Sequence, residues 1–372
     1  MSDLLRKFDA WFEDAGPAAL VLREHLMPVE GPDGVLFPAT FAASEDKTFK
    51  GGYNIDEFSD GRNICLIDSV GSQANRIEPL FAKDGHAGLV PQIVVKAGNK
   101  QVDLLEAGHR AGDAIVRCSA LQEELQKAFK AVQNGDAGPL AKIAPTSLVF
   151  GAWDSRDTQA KLPRLIASTI RAFDVRKLTR SAQYVAATEY VEHALLDEPT
   201  DEKTRKAYAE RGFVHVPASG SHGGVIATGG IRRDATLHLA ALRLLTAGSD
   251  AANTLTLHRY ILGLALTAFT HSPSGYLRQG CNLVLDPDPK KKREFKTVYG
   301  DGRREDATVT HSEALAYAKA AAKAFGIDPD RKIDYKTGPD REVMFDVELA
   351  KKDVSGDTGD GTKAARKTRK TK

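Results

Sequence analysis

The order of segments along the chain predicts an α+β fold built on antiparallel sheet. Three observations carry this expectation. Extended and helical patterns follow one another irregularly, without the strand-helix-strand alternation of a doubly wound parallel sheet. Two turn-forming stretches, Gly31-Pro-Asp-Gly34 and the Gly-rich 219–224, lie between extended segments and read as hairpin tips. No GxGxxG follows a strand, and HExxH and GxSxG do not occur, which removes the common nucleotide-fold, zinc-protease and hydrolase signatures. With 372 residues a substantial core is available; residues 1–350 read as one decorated domain and 351–372 as a disordered basic tail.

The elements follow in order. A helix is expected at about 3–14, then extended segments at 19–28 and 35–41 joined as a hairpin. A polar loop at 44–62 precedes a short apolar strand, 63–68, which runs straight into a helix at 69–81 with Asp68 or Ser69 placed as its N-cap. Residues 92–96 form a strand, and 103–133 carry the longest helical pattern, with Leu104, Leu105, Ala111, Ile115 and Cys118 in helical spacing and Asn134-Gly135-Asp136 as its stop. The β-branched and aromatic content of 146–153 predicts a strand. Residues 164–175 suit either a helix opened by Pro163 or a strand.

Residues 186–210 are acidic and partly helical in pattern, and 213–216 with 225–228 flank the Gly-rich tip as a second hairpin. Helices at 234–247 and 253–269, a strand at 282–285, a basic loop at 287–306, a helix at 312–325 and a strand at 342–349 complete the domain. No internal repeat is present.

Composition places the chain among folded proteins: 42% of residues are apolar and 27% charged. The net charge of +2 hides a partition. The tail from Lys351 on carries +5, the stretch 153–184 +4 and the stretch 290–304 +5, leaving about −12 for the rest. Any nucleic acid must therefore be held by local patches, not by a globally positive surface. Cys65, Cys118 and Cys281 are odd in number and form no CxxC pair, so neither a disulfide framework nor a zinc ribbon is encoded, and a reducing cytoplasm is expected. The first residues lack a signal-peptide pattern, and no apolar run reaches a membrane span.

Several candidates compete for chemistry. Gly356–Gly361 has phosphate-loop glycine spacing, but Thr362-Lys363 reverses the required order of the following pair. His215 and His222 share a predicted hairpin, with no third metal ligand in sight. The Gly-rich tip either cradles a phosphate through its backbone, helped by Arg232 and Arg233 just beyond, or is simply a flexible turn. Within 153–184, Arg156, Lys161, Arg164, Arg171, Arg176, Lys177 and Arg180 are interleaved with Trp153, Phe173 and Tyr184. Cations for phosphates beside flat rings for unstacked bases are what single-stranded RNA binding uses. The alternative for both basic patches is a solvated surface.

Four blocks together carry a family resemblance: 68–80 (DSVGSQANRIEPL), 103–116 (DLLEAGHRAGDAIV), 144–156 (APTSLVFGAWDSR), and 161–164 (KLPR) continuing to 178–184 (LTRSAQY). Over roughly residues 15–350 the chain resembles the RAMP-type backbone ("Cas-seven") subunit of type I-G, formerly I-U, CRISPR Cascade complexes. The resemblance implies an RRM-like, ferredoxin-type palm with inserted finger and thumb. It also implies copies that polymerise along one CRISPR RNA, beside other Cascade subunits, and present the guide for pairing with target DNA. Such a subunit is a binding scaffold, not an enzyme, and needs no cofactor or metal.

The expected RNA-binding set follows from the two readings together. Ser69, Gln73, Asn75 and Arg76 sit on the first turns of a helix, where an anion is favoured, although an ordinary N-cap with Arg76 in a surface ion pair fits too. Arg156, Lys161 and Arg164 suit phosphates; Trp153 suits a base but more readily the core. Arg180 and Tyr184 fall in the implied thumb, and His222, Arg232 and Arg233 beside the Gly-rich tip. The rival reading is a metal-dependent ribonuclease of the same fold, with Asp68 or Asp154 as the acidic residue.

Overall fold

The computed structural model describes residues 2–46, 48–180, 182–218, 222–272, 274–331 and 340–355. Eight strands position the site: β1 (Ala19–Pro28), β2 (Asn63–Asp68), β3 (Ile166–Phe173), β4 (Val175–Thr179), β5 (His222–Ala227), β6 (Ile231–His238), β7 (Cys281–Leu285) and β8 (Glu294–Val298). Four helices matter: α1 (Val70–Ile77), α2 (Gln122–Gln133), α3 (Ala251–Thr270) and α4 (His311–Phe325).

The architecture is α+β, and the main sheet is antiparallel at every pairing. β1 lies inside it. One edge of β1 pairs with β6 from Ala19↔His238 to Leu26↔Ile231; the other pairs with β8 over Ala19–Arg23 and then with β7 over Leu26–Pro28. Beyond β6 come β3, β2 and the short strand Ile55–Glu57. In β6 alternate residues are buried and half-exposed, so one sheet face is covered and the other faces solvent.

The covered face meets α3, which is buried on all sides from Tyr260 to Phe269 and packs along α4. A Cβ on Gly263 would lie 2.8 Å from Ala318 Cα, so glycine sets how closely the two helices approach. Among the described residues no helix is long and apolar enough to cross a membrane. Cys65, Cys118 and Cys281 are free and buried.

Several expected elements differ, each for a visible reason. The turn at 31–34 closes no hairpin, because both edges of β1 are taken by strands distant in sequence; Leu36 bridges Val225 instead, and Thr40–Phe41 pairs with Gly52–Tyr53. The helical pattern at 103–133 is broken into turns before α2: Asp103 and Asp113 each cap a new turn, and Arg110 takes φ 55°. Thr146–Phe150 is helical and fully buried, and Gly151 at φ 77° turns the chain into the short strand Ala152–Trp153. A Cβ at Gly151 would meet the Leu162 carbonyl at 2.9 Å.

The ambiguous stretch after Pro163 is β3. Residues 234–238 complete β6, leaving only Leu239–Leu242 helical before α3. The expected second hairpin does not form: β5 pairs with β4, and Val216–Ala218 pairs with Ala182–Tyr184. Together these strands build an arm inserted between β3 and β6; residues 219–221 of its Gly-rich tip lie outside the described residues. The basic loop at 287–306 is instead β8 hairpinned to Arg304–Asp306.

Arg341–Met344 lies parallel to Ile93–Ala97, and the chain then enters a helix, Val347–Ser355. Asp346 accepts from the Glu348 and Leu349 N–H groups, and Asp353 pairs with Arg117 at 2.9 Å. Residues 351–355 are therefore helical, against the expectation of a disordered tail from 351; 356–372, with the phosphate-loop-like Gly356–Gly361, lie outside the described residues.

Candidate nucleic-acid interface

β2 ends on Asp68, whose carboxylate is 1% exposed and anchors the start of α1. It accepts hydrogen bonds from Ser72 Oγ (2.8 Å), Gln73 Nε2 (2.6 Å), Arg76 Nε (3.2 Å) and Arg278 Nη2 (3.0 Å). Ser69 is the N-cap, its Oγ accepting from the Ser72 N–H at 3.2 Å. Gln73 Oε1 accepts from Ser168 Oγ, which in turn accepts from Arg233 Nε, and Arg233 Nη1 meets Glu24 Oε2 at 3.0 Å. This network ties β1, β2, β3, β6 and α1 together beneath the sheet. Burial pulls the Arg233 guanidinium below its usual pKa, with Glu24 opposing.

Two expected contacts are thereby corrected. Gln73 and Arg233 are buried and committed to this network, so they hold the sheet and helix in place and do not face a ligand. Successive residues of β6 point to opposite faces. Arg232 therefore emerges on the open face, 2.8 Å from Asp234 and 4.7 Å above the Phe173 ring. Asp154, like Asp68, is buried and taken by donors: Asp157 N, Thr158 N and Thr158 Oγ1 lie 2.7–3.3 Å from its oxygens.

Of the exposed members Arg164 lies beside the start of α1, with Trp153 and Lys161 on the adjoining hairpin. A Cβ on Gly71, in the first turn, would be 4.0 Å from Arg164 Nη2, and Arg164 also lines Gly151. From Gly151 the short hairpin of Ala152–Trp153 with Lys161–Leu162 projects, setting Trp153 opposite Lys161. Trp153 is 58% exposed, so it is not core as expected; Lys161 Nζ lies 5.8 Å from its ring centre. Asn75 on the outer side of α1 accepts from Arg110 Nη2 at 3.1 Å. Among the described residues Lys161 and Arg164 have no ion-pair partner, and both are exposed. Arg156 is exposed but separate from these, beside Asp353 of the C-terminal helix.

Arg180, Tyr184 and His222 lie on the inserted arm. His222 packs on Tyr53 with ring centres 4.8 Å apart, and the Tyr184 ring is exposed against Gly212. His215 hydrogen-bonds Glu189 at 2.5 Å while His222 packs on Tyr53, and among the described residues neither belongs to a group of three side chains arranged to hold a metal ion. The second basic patch is largely neutralised: Lys291 pairs with Asp286, Arg293 with Glu24, Lys296 with Asp306 and Arg303 with Glu305.

Sequence reasoning missed Arg278, which reaches Asp68 from a distant strand. It also missed Arg110, buried with Nε 2.6 Å from Glu78, and the open-face pair Arg23–Asp234 at 3.1 Å. The block at 103–116 contains Arg110 but nothing in it marks the partner; for Arg278 there is no local signal at all.

Fold and site together define a class: an α+β protein with one large antiparallel sheet, an inserted arm, an exposed cation at the start of a capped helix, and a second cation and an indole on the adjoining hairpin. Residues 20–177 match the family model described as CRISPR-associated protein GSU0053 (Cas_GSU0053). Over that span the chain is similar to a CRISPR-associated family of Cas-seven type, in line with its sequence blocks. The matched span runs from β1 through β4 and contains the Asp68 node and the Trp153 hairpin. No curated protein matches the chain.

Proposed function

We propose that this protein is the guide-RNA-binding backbone subunit of a type I-G Cascade complex. In this reading it polymerises along one CRISPR RNA beside the other subunits and holds the bases for pairing with target DNA. The observation that carries the reading is the exposed set of Arg164 beside the start of α1 and Trp153 with Lys161 on the adjoining hairpin, within the span matched to a CRISPR-associated family. Unpaired cations neutralise phosphates whatever the base sequence, and a free indole offers a stacking surface. Strand order β8/β7-β1-β6-β3 also fits the 4-1-3-2 order of a ferredoxin-type palm, with the arm between β3 and β6 as thumb and β2 as an added edge.

The ribonuclease reading has less support, since Asp68 and Asp154 are each saturated by hydrogen-bond donors and need no metal to satisfy them. The test is extraction of nucleic acid from the protein purified with its natural partners. Bound RNA of uniform guide length supports the scaffold role, and a preparation free of RNA contradicts it.

A further inference from the structure

Three histidines far apart in sequence meet at one point of the fold. His86 stands in the loop before Ile93–Ala97, His271 closes α3 and His311 opens α4. His86 Nε2 lies 3.3 Å from His311 Nε2. The ring centres are separated by 5.5 Å (86 to 311), 5.6 Å (271 to 311) and 6.5 Å (86 to 271). All three rings are half-buried.

Hydrogen-bond chemistry makes the close pair unusual. His86 Nδ1 faces the Asp84 carbonyl at 3.4 Å, and a carbonyl only accepts, so Nδ1 carries the proton. The Thr270 hydroxyl donates to the Leu266 carbonyl at 2.7 Å; its oxygen therefore accepts from His311 Nδ1, 3.1 Å away. Both Nε2 atoms are then lone-pair acceptors pointing at each other, which is repulsive unless a cation lies between them. Outer hydrogen bonds that fix Nδ1–H and turn Nε2 inward are how proteins orient metal-binding imidazoles.

The distances suit a metal. Nitrogens about 2.0–2.1 Å from a tetrahedral zinc ion are about 3.3–3.4 Å apart, and their ring centres about 5.2 Å apart. Among the described residues no three His, Cys, Asp or Glu side chains are already arranged to hold a metal ion; the nitrogens of His86 and His311 already stand at the required separation, while the His271 and His86 ring centres are 6.5 Å apart, wider than shared tetrahedral ligation needs. We propose that His86, His271 and His311 bind one divalent transition metal ion of imidazole preference, zinc above all, with water completing the shell. The ion would clip the loop at 86 to the facing ends of α3 and α4.

A shared proton is the competing cation. Lys83, Lys319 and Arg233 are positive neighbours of the cluster and give an added proton no compensating charge. The same positive neighbours weaken the site for a metal, leaving coordinate bonds to nitrogen as its source of affinity.

The test is Zn2+ titration of the full, tag-free chain by calorimetry, with His86→Gln, His311→Gln and the exposed control His193→Ala. One saturable zinc per chain is expected, unchanged in His193→Ala and weaker by at least about tenfold in the other two, the loss that even an outer-shell partner's removal brings. Absence of saturable binding, or equal affinity in all four proteins, overturns the proposal. Should both glutamine variants misfold, Co2+ bound to the wild-type chain decides. Intense visible bands of tetrahedral nitrogen ligation support the site, and only the pale octahedral spectrum overturns it.

Discussion

Arg278 Nη2 meets Asp68 Oδ1 at 3.0 Å, joining the short strand Tyr276–Arg278, which pairs with β7, to the junction between β2 and α1 across 210 residues of sequence. The carboxylate is buried while Arg278 and Arg76 reach it from partly exposed positions, so its charge is needed to compensate theirs. Asp68→Asn should lower stability by about 2–3 kcal/mol, below the full cost of breaking a wholly buried pair. Denaturant unfolding measures this. A loss of function in an Asp68 variant therefore reports on folding first, and a nuclease test at this position needs a stability control.

Trp153 is exposed on its hairpin, so Trp153→Ala should leave the unfolding midpoint nearly unchanged while weakening single-stranded RNA binding by about 1–3 kcal/mol through lost stacking. Fluorescence anisotropy with a labelled RNA checks the second part. A large drop in stability would return this residue to the core role that its sequence suggested.

The three thiols should be silent in the native protein. Burial pushes Cys65 up to about 12 and Cys281 up to about 11, and raises Cys118 as well. At pH 8 the thiolate that attacks an alkylating reagent is scarce, and access is blocked. Mass spectrometry after iodoacetamide treatment should find no adducts on the folded chain and three after denaturation.

Thr310 and Glu313 form a capping box at the start of α4, with Lys7 also on Glu313 at 2.9 Å. These partners hold the Glu313 carboxyl down to about 2. A depressed folded-state pKa means its contribution is present above the ordinary glutamate value and is lost as pH falls toward 2. Melting temperatures of wild type and Glu313→Gln should thus differ at neutral pH and converge in acid.

What the sequence disclosed was local. Strand β2 running into capped α1 was legible because Asp68 and Ser69 stand next to the helix they serve, and α4 was legible from its alanine-rich pattern. Thr146–Phe150 was not, because burial on all sides outweighs the strand preference of Thr, Val and Phe. The failed hairpins share one cause: β1 and β5 find partners far along the chain, and no turn signal reports such pairing. At the site, Lys161 and Arg164 were readable as a cationic run, whereas the burial of Gln73 and Arg233 depends on Ser168 and Glu24 from other strands.

The most direct measurement is the salt dependence of binding to guide-length RNA for the wild-type chain, Lys161→Ala and Arg164→Ala. Phosphate neutralisation predicts a linear fall of log affinity with log salt, with each variant reducing the slope by about 0.7 for a single strand and doing so equally for unrelated sequences. An unchanged slope in both variants, or a loss confined to one RNA sequence, would contradict the assignment of this surface to the guide backbone.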